Sequence, residues 1–363
     1  MYDFDAVVVG SGPAGSVAAK VCAKNGLQTL LLEKRKLPRD KVCSGMLVGP
    51  RALKIIAEEF GPIPQQVLTD PSHLHGYMLH VPGVAPLRID CAPPIAIGWR
   101  KEIDFWMAQK AKEAGAEIWD HARVVNVTQN GGVCTVTLSE GSQGRQIKSR
   151  FVIGADGTNS IVRKSLFPDL KTQYTYAQRE CYEGELLLDK KYFHWVFPSG
   201  WYPCFGVHHK NNHYLLEGRV QQTRPKIVEV LAEYGFQADA KPLWCDACAS
   251  RPGFLEDVFS GAFVPAQGNV LLAGDTTSLK IYSSGEGTGT ALESGVLAAG
   301  SVVKALHSDG HASDLYMKEL KPMVERMRAH YLKMKSFKEE DVKDPEFAIK
   351  ALGELFTESM IIG

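Results

Sequence analysis

The sequence predicts an α/β fold: a parallel, glycine-turned unit, an inserted antiparallel sheet, and helices at the C-terminus. Three observations carry that prediction. Asp3 to Glu33 reads as strand, glycine turn, helix and second strand. Buried-strand runs that end in glycine and aspartate return at Phe151 to Asp156 and at Asn269 to Asp275. Between those two, residues 172–262 are rich in aromatics and alternate apolar with polar, the pattern of strands with one face on a core.

Phe4-Asp5-Ala6-Val7-Val8-Val9 is a short β-branched run closed at once by glycine, which marks a buried parallel strand. It enters Gly10-Ser11-Gly12-Pro13-Ala14-Gly15 and then Ser16 to Lys24, whose small residues suit a helix packed tightly on a sheet. Thr29-Leu30-Leu31-Leu32 is the second strand and ends in Glu33. A G-x-G-x-x-G turn with a strand before it, a helix after it and an acid about 20 residues on is a Rossmann-type dinucleotide fingerprint. Gly10 permits the turn, Gly12 lets a pyrophosphate approach the backbone, and Gly15 lets helix and strand touch. The helix start supplies N–H groups and a positive dipole end. Glu33 is placed to accept from a ribose diol, and its charge disfavours a 2′-phosphate. The turn leaves open whether the dinucleotide is FAD or NAD.

A chain of 363 residues, 45% apolar and 23% charged, has room for two domains, and its formal net charge of zero offers no basic surface to steer nucleic acid. No run approaches the ~18 apolar residues of a membrane span. The first strand starts at residue 4, which leaves no space ahead of it for a signal peptide. Eight cysteines scattered through so long a chain point to a reduced, cytoplasmic setting.

Lys34 to Lys41 is a basic loop, readable as solvated or as a neighbour of phosphates. Pro50 to Phe60 has helical spacing, stopped by Gly61-Pro62, and strands with Pro/Gly turns fill residues 68–98. Arg100 opens a helix that ends at Gly115, followed by a strand at 117–119 and a hairpin around Asn130-Gly131-Gly132. After Phe151-Val152-Ile153, Asp156 is placed to cap a helix beginning near Ile161 and to reach a ribose or pyrophosphate. One helix, Pro225 to Tyr234, interrupts the aromatic block. Asp275 stands after another strand, positioned for a ribose or ribitol hydroxyl. Ser284 to Gly289 presents backbone N–H groups at a helix start, suited to the pyrimidine edge of a flavin. The tail is helical from Asp314, with Leu315, Leu320, Met323, Met327 and Leu332 as its packed face. These boundaries assign residues 1–70, 96–171 and 263–310 to a discontinuous nucleotide-binding domain. Residues 71–95 and 172–262 form a substrate domain, and 311–363 a C-terminal helical segment.

In their order and spacing the glycine–acid motifs resemble the p-hydroxybenzoate-hydroxylase-like FAD superfamily, and four further stretches resemble its geranylgeranyl reductase family. Lys41-Val42-Cys43-Ser44-Gly45-Met46 is similar to that family's flavin-facing cysteine–glycine loop. Arg100-Lys101-Glu102-Ile103-Asp104 is similar to its R-x-x-F-D element, with Ile for Phe. Phe193-x-Trp195-x-Phe197-Pro198-x-Gly200 is similar to its aromatic substrate-cavity motif, and Gly274 through Gly295 to its last FAD segment. The resemblance covers residues 3–300. It implies FAD contacts at Ala14, Glu33, Cys43, Ser44, Met46, Arg100, Val124, Asp275, Gly287 and Thr288, beside Gly10, Gly12, Gly15 and Asp156 from the turns themselves. Cys43, Trp195 and Phe197 become the candidate catalytic and cavity residues. Ser44 and Met46 are bulkier than the family's usual residues, and Tyr282, two positions after Lys280, stands where proline is usual.

The implied chemistry is saturation of a carbon–carbon double bond in an apolar, isoprenoid-like substrate, small or lipid-like. Electrons come from NAD(P)H or a reduced carrier protein. No metal is implied, and membrane contact is at most peripheral. A monooxygenase or halogenase on the same fold is the alternative; halogenases usually carry W-x-W-x-I-P, from which Phe193 and Phe197 depart. An electron-transfer flavoprotein serving a quinone or carrier protein would predict an iron–sulfur segment, and no such cysteine cluster is evident. Cys245-Asp246-Ala247-Cys248 has redox or zinc spacing without a second ligand pair, and His208, His209 and His213 suit strand positions, so the cysteines read as structural.

Overall fold

A computed structural model describes residues 2–139, 144–308 and 310–363. β1 (Phe4–Val9), α1 (Pro13–Lys24) and β2 (Thr29–Leu32) open the chain, followed by the short β3 (Met46–Leu47) and α2 (Pro50–Glu59). Two long strands, β4 (Leu68–His80) and β5 (Leu87–Gly98), precede α3 (Arg100–Glu113), β6 (Glu117–Trp119), β7 (Val124–Asn130), β8 (Val133–Leu138), β9 (Arg145–Gly154) and α4 (Ile161–Leu166). The aromatic block contains β10 (Tyr174–Glu183), β11 (Tyr192–Val196), β12 (Phe205–Lys210), β13 (His213–Gly218), α5 (Val220–Leu231), β14 (Trp244–Pro252) and α6 (Leu255–Ser260). β15 (Ala266–Gln267), β16 (Val270–Leu272), α7 (Thr288–Leu306), α8 (Ala312–Ser336) and α9 (Pro345–Ile362) complete it.

In the first sheet β16, β9, β1, β2 and β6 are successive parallel neighbours. Their apolar side chains are buried on both faces, as crossover helices on either side require. Val9 and Leu272 both pair with Gly154, so the turns after β1, β9 and β16 open along one edge of the sheet. That edge, outside the carboxyl ends of parallel strands, is where such sheets bind ligands. Close packing fixes α1 there. A Cβ on Gly15 would lie 1.7 Å from the Gly10 carbonyl oxygen, and one on Gly295 of α7 would lie 2.4 Å from that of Ala14.

The second sheet has the order β14-β10-β13-β12-β11-β4-β5-β3. One face packs α5 through Val207, Leu216, Val220, Ile227 and Leu231. The other face carries Tyr77, Leu79 and Phe193, covered by Ala348, Leu352 and Phe356 of α9.

Four details differ from the sequence expectation. The second sheet is not wholly antiparallel: β11 pairs with β4 in parallel. Those strands come from distant parts of the chain, so no hairpin forces them antiparallel. Met46–Leu47 already belongs to this sheet, through β5. α5 begins at Val220 rather than Pro225, because Val220, Thr223, Ile227 and Leu231 form a buried stripe that the proline only interrupts, and the short α6 is a second helix in the block. In α8, Leu320, Met323 and Met327 are buried with Tyr316 and Tyr331, whereas Leu332 is 53% exposed. Among the described residues no helix is long and apolar enough to cross a membrane.

Candidate functional site

A cavity of about 1120 Å³ opens at the carboxyl edge of the first sheet and continues along the α9-side face of the second. Pockets for small ligands span roughly 300–1,000 Å³, so this one has room for a dinucleotide and a second molecule. Gly10, Gly12 and Ala14 line it where α1 begins; Gly15 lies beneath them as a packing residue. No side chain caps α1, and a Cβ on Gly12 would meet only Arg39 Nη2, at 3.9 Å. The bare helix start and the open approach fit a pyrophosphate.

Glu33 is buried beside this turn. Its Oε2 accepts from Ser11 Oγ (2.8 Å), Ser11 N (3.3 Å) and Arg39 Nε (2.9 Å), while Oε1 accepts from Arg35 N (3.1 Å). Burial pushes its carboxyl up, but Arg39 and these hydrogen bonds outweigh that and hold it below its ordinary range. Arg39 Nη1 also binds Asp104 (2.8 Å), and Asp104 clasps Arg100 at 2.8 and 3.0 Å. The chain Glu33–Arg39–Asp104–Arg100 therefore runs from the turn after β2 to the start of α3 along the cavity. Arg39 was the informative member of the basic loop, and nothing in Lys34 to Lys41 singled it out.

Val124 and Asp156 also line the cavity. Asp156 spends its carboxylate on α4: Oδ1 accepts from Ser160 Oγ (2.5 Å) and Oδ2 from Ile161 N (2.6 Å). It acts as the cap the sequence implied, which leaves little of the group for a sugar. Asp275 is the freer acid, with Lys280 Nζ and Thr158 Oγ1 each at 3.5 Å. Burial pushes its carboxyl up, and Lys280, Lys41 and Arg100 outweigh that, so it stays charged. Gly287 and Thr288 border the same space, but the N–H groups of Thr288 (2.6 Å) and Gly289 (2.9 Å) both donate to Glu286 Oε1. The glycine loop thus carries its own carboxylate cap, which its sequence pattern did not reveal.

Cys43, Ser44 and Met46 face the cavity centre, and the second sheet holds their loop in place. Arg179 Nη1 donates to the Cys43 carbonyl (2.7 Å), and the buried Lys210 ammonium donates to the Ser44 carbonyl and to that of Gly98 (2.8 Å). Trp195 lines the cavity, its ring 4.9 Å from Phe193 and 5.6 Å from Phe356, and its buried Nε1–H has no partner among the described residues. Phe197 does not reach the cavity. It is fully buried behind the wall, against Tyr202 (5.4 Å) and Phe356 (6.0 Å), because it follows the end of β11 and turns into the α9 cluster. Tyr202, in the aromatic run that follows Phe197, lines the space as well; Tyr77, Arg179 and Glu217 also line it and were not anticipated. β14 sends Cys245 out to solvent and Cys248 to the cavity, as an odd offset in a strand must, and both are free. His208 and His209 are buried strand residues.

Residues 3–183 match the family described as FAD binding domain. The fold and its cradle define an FAD-dependent oxidoreductase. The chain is similar in sequence to the geranylgeranyl reductase family and shares the fold of the p-hydroxybenzoate-hydroxylase-like FAD enzymes. It is 28% identical over 353 residues to digeranylgeranylglycerophospholipid reductase 1 of Methanococcoides burtonii, covering 87% of this chain and 78% of that one. The crystal structure of a geranylgeranyl bacteriochlorophyll reductase-like protein from Thermoplasma acidophilum superposes with a TM-score of 0.74 at 18% identity, over 98% of this chain and 97% of that one. The flavin-dependent halogenase CmlS shares the fold as well, with a TM-score of 0.73 and 17% identity over 97% of this chain and 68% of that one.

Proposed function

We propose that this flavoprotein saturates carbon–carbon double bonds of an apolar, isoprenoid-like lipid. The observation that carries the reading is the continuity of the FAD cradle with a wall of Met46, Tyr77 and Trp195, backed by α9. Such a wall binds a long apolar chain by burial, at roughly 25 cal/mol per Å² of apolar surface removed from water. The reductase name of the similar archaeal enzyme supports the same substrate class. Bound FAD supplies two-electron hydride chemistry.

The chain's own residues bind and orient. Gly10, Gly12 and Ala14 receive the pyrophosphate, and Glu33 and Asp275 accept from sugar and ribitol hydroxyls. Arg100, Val124, Gly287 and Thr288 would hold other parts of the cofactor along the same cavity. The Cys43–Ser44 loop, fixed by Arg179 and Lys210, sets the distance between ring and substrate, and α9 supports the wall from behind. Cys43 lies at that junction, and Trp195 is the substrate wall. In this reading the first sheet is the nucleotide-binding unit and the second the substrate unit. The electron donor is NAD(P)H or a reduced carrier protein, and any membrane contact is peripheral.

The test is an anaerobic half-reaction. Holoenzyme reduced with dithionite and mixed with a geranylgeranyl lipid is expected to recover the oxidised flavin absorbance, and Cys43→Ala is expected to recover it more slowly with FAD still bound. Flavin that stays reduced until oxygen is admitted, with a hydroxylated or halogenated product, would favour the oxygenase reading instead.

A further inference from the structure

Saturating a double bond requires a proton as well as a hydride, and the register of the second sheet sets a carboxyl group beside the substrate space. Asp246 pairs with Arg179, Arg179 with Glu217, Glu217 with Gly206, and Gly206 with Trp195. Residues in such a cross-strand row share one face of the sheet. Here that face is the cavity, lined by Asp246, Arg179, Glu217 and Trp195. Glu217 thus stands between the ion pair that holds the Cys43 loop and the aromatic wall. The edge of the Phe193 ring and Glu217 Cγ fill the space beside Gly206, 2.5 and 3.3 Å from where a Cβ would sit. A carboxyl group faces the substrate space with an apolar ring at its flank.

Both cations that could hold Glu217 as a carboxylate are committed elsewhere. Arg179 gives Nε and Nη2 to Asp246 (3.0 and 2.5 Å) and Nη1 to the Cys43 carbonyl (2.7 Å). Lys210 gives its ammonium to the Ser44 and Gly98 carbonyls and lies 4.4 Å from the centre of the Trp99 ring. Burial pushes the Glu217 carboxyl up, and the attraction of Arg179 and Lys210 offsets this only in part, since Asp246 adds a like charge. Burial pushes the Lys210 ammonium down. A carboxyl in a cavity whose pKa burial raises towards neutrality, with cations near enough to stabilise the anion once it forms, is the arrangement a general acid needs.

We propose that Glu217 is the proton donor of the reaction, delivering its carboxylic proton to the alkene carbon that does not receive hydride. The proposal rests on the reductase reading above. One carbon of the double bond takes the two-electron hydride equivalent supplied by reduced FAD, and the other takes the Glu217 proton. The π bond breaks, two C–H bonds form, FAD is left oxidised and Glu217 is left a carboxylate. Arg179 and Lys210 stabilise that carboxylate until solvent reprotonates it as product leaves.

The test pairs turnover with a measurement that needs none. In anaerobic single turnover of dithionite-reduced holoenzyme with a geranylgeranyl lipid, Glu217→Gln is expected to slow reoxidation by about 10²-fold or more, the usual contribution of a general acid. FAD binding should be unchanged, and Glu217→Asp should restore part of the rate. The wild-type rate should fall as pH rises through the Glu217 titration, and the Gln variant should lose that dependence. The groups facing Glu217 that can shade the profile are Arg179 and Asp246 on β10 and β14, Lys210 and His208 on β12, and Cys43 and Arg100 below. Infrared spectra of the oxidised holoenzyme at neutral pH should show a protonated-carboxyl C=O band that Glu217→Gln removes. A Gln variant within about threefold of wild type, or an infrared spectrum without that band, overturns the proposal. A wild-type enzyme that the lipid never reoxidises overturns the reductase reading and the donor role with it. A slow variant beside an active wild type leaves the reductase reading intact.

Discussion

Arg39→Ala removes the link between two buried carboxylates, and its cost follows from the burial of all three groups. The side chains of Arg39, Glu33 and Asp104 are 11%, 5% and 1% exposed, at separations of 2.9 and 2.8 Å. Stripping one partner from a buried ion pair costs about 3–5 kcal/mol, because the charge left behind stays desolvated. Asp104 keeps Arg100, and Glu33 keeps Ser11 and the Arg35 N–H, so the low end, about 3 kcal/mol, is expected. The pH dependence changes as well. A carboxyl held below its ordinary value of 4.5 contributes stability that is complete above that value and lost as pH falls through the folded one. Without Arg39 the contribution shrinks, so the gap between variant and wild type narrows as the medium is acidified. Urea denaturation of the apoprotein at neutral and acidic pH measures both effects, and FAD titration reports the displaced Glu33 as roughly tenfold weaker binding. The control is Lys321→Ala. It breaks a pair at 3.8 Å whose side chains are 74% and 64% exposed, and should change stability by no more than about 0.5 kcal/mol. An Arg39→Ala variant as stable as that control would refute the reasoning.

Two further outcomes follow from burial. Phe197→Ala, deep in the α9 cluster, should cost about 3–5 kcal/mol of stability, whereas Trp195→Ala should chiefly impair reoxidation by substrate with FAD content retained; thermal melts beside anaerobic kinetics separate the two. Burial lowers the pKa of His80 and His209 to about 4, and lowers His194 and His208 as well, so below the ordinary 6.5 the unfolded chain binds protons that the folded one refuses. Stability should therefore fall as pH drops from 6.5 towards 4, by up to about 1.4 kcal/mol per pH unit for each such histidine, measured by denaturation across that range.

The parts legible in the sequence are those where backbone geometry leaves little choice. Gly10 has φ +102°, and Gly15 touches the Gly10 carbonyl, so a glycine turn between a strand and a helix is almost its own structure. The acids after β9 and β16 could be read because a strand ending in glycine and aspartate is a local pattern. What could not be read depends on partners far along the chain. Arg39 is distinguished from Arg35 and Lys41 by joining Glu33 to Asp104, 65 residues on. Glu217 and Lys210 look like ordinary strand residues until the register sets them beside Arg179 and the Cys43 loop. α9 reads only as part of the helical tail, because the residues its apolar face covers, Tyr77 and Phe193, lie in another part of the chain. Phe197 shared its motif with Trp195 yet left the wall, since β11 ends at Val196 and side-chain alternation no longer applies beyond it.

The central claim, that one cavity holds FAD against an apolar double bond, is tested most directly by counting product. Holoenzyme reduced anaerobically by a known amount of dithionite is incubated with a geranylgeranyl lipid, and the lipid is then analysed by mass spectrometry. The expected result is one double bond saturated for each reduced FAD consumed, with no oxygen incorporated. A lipid of unchanged mass, or one that gains oxygen or halogen only when air is admitted, would contradict the claim.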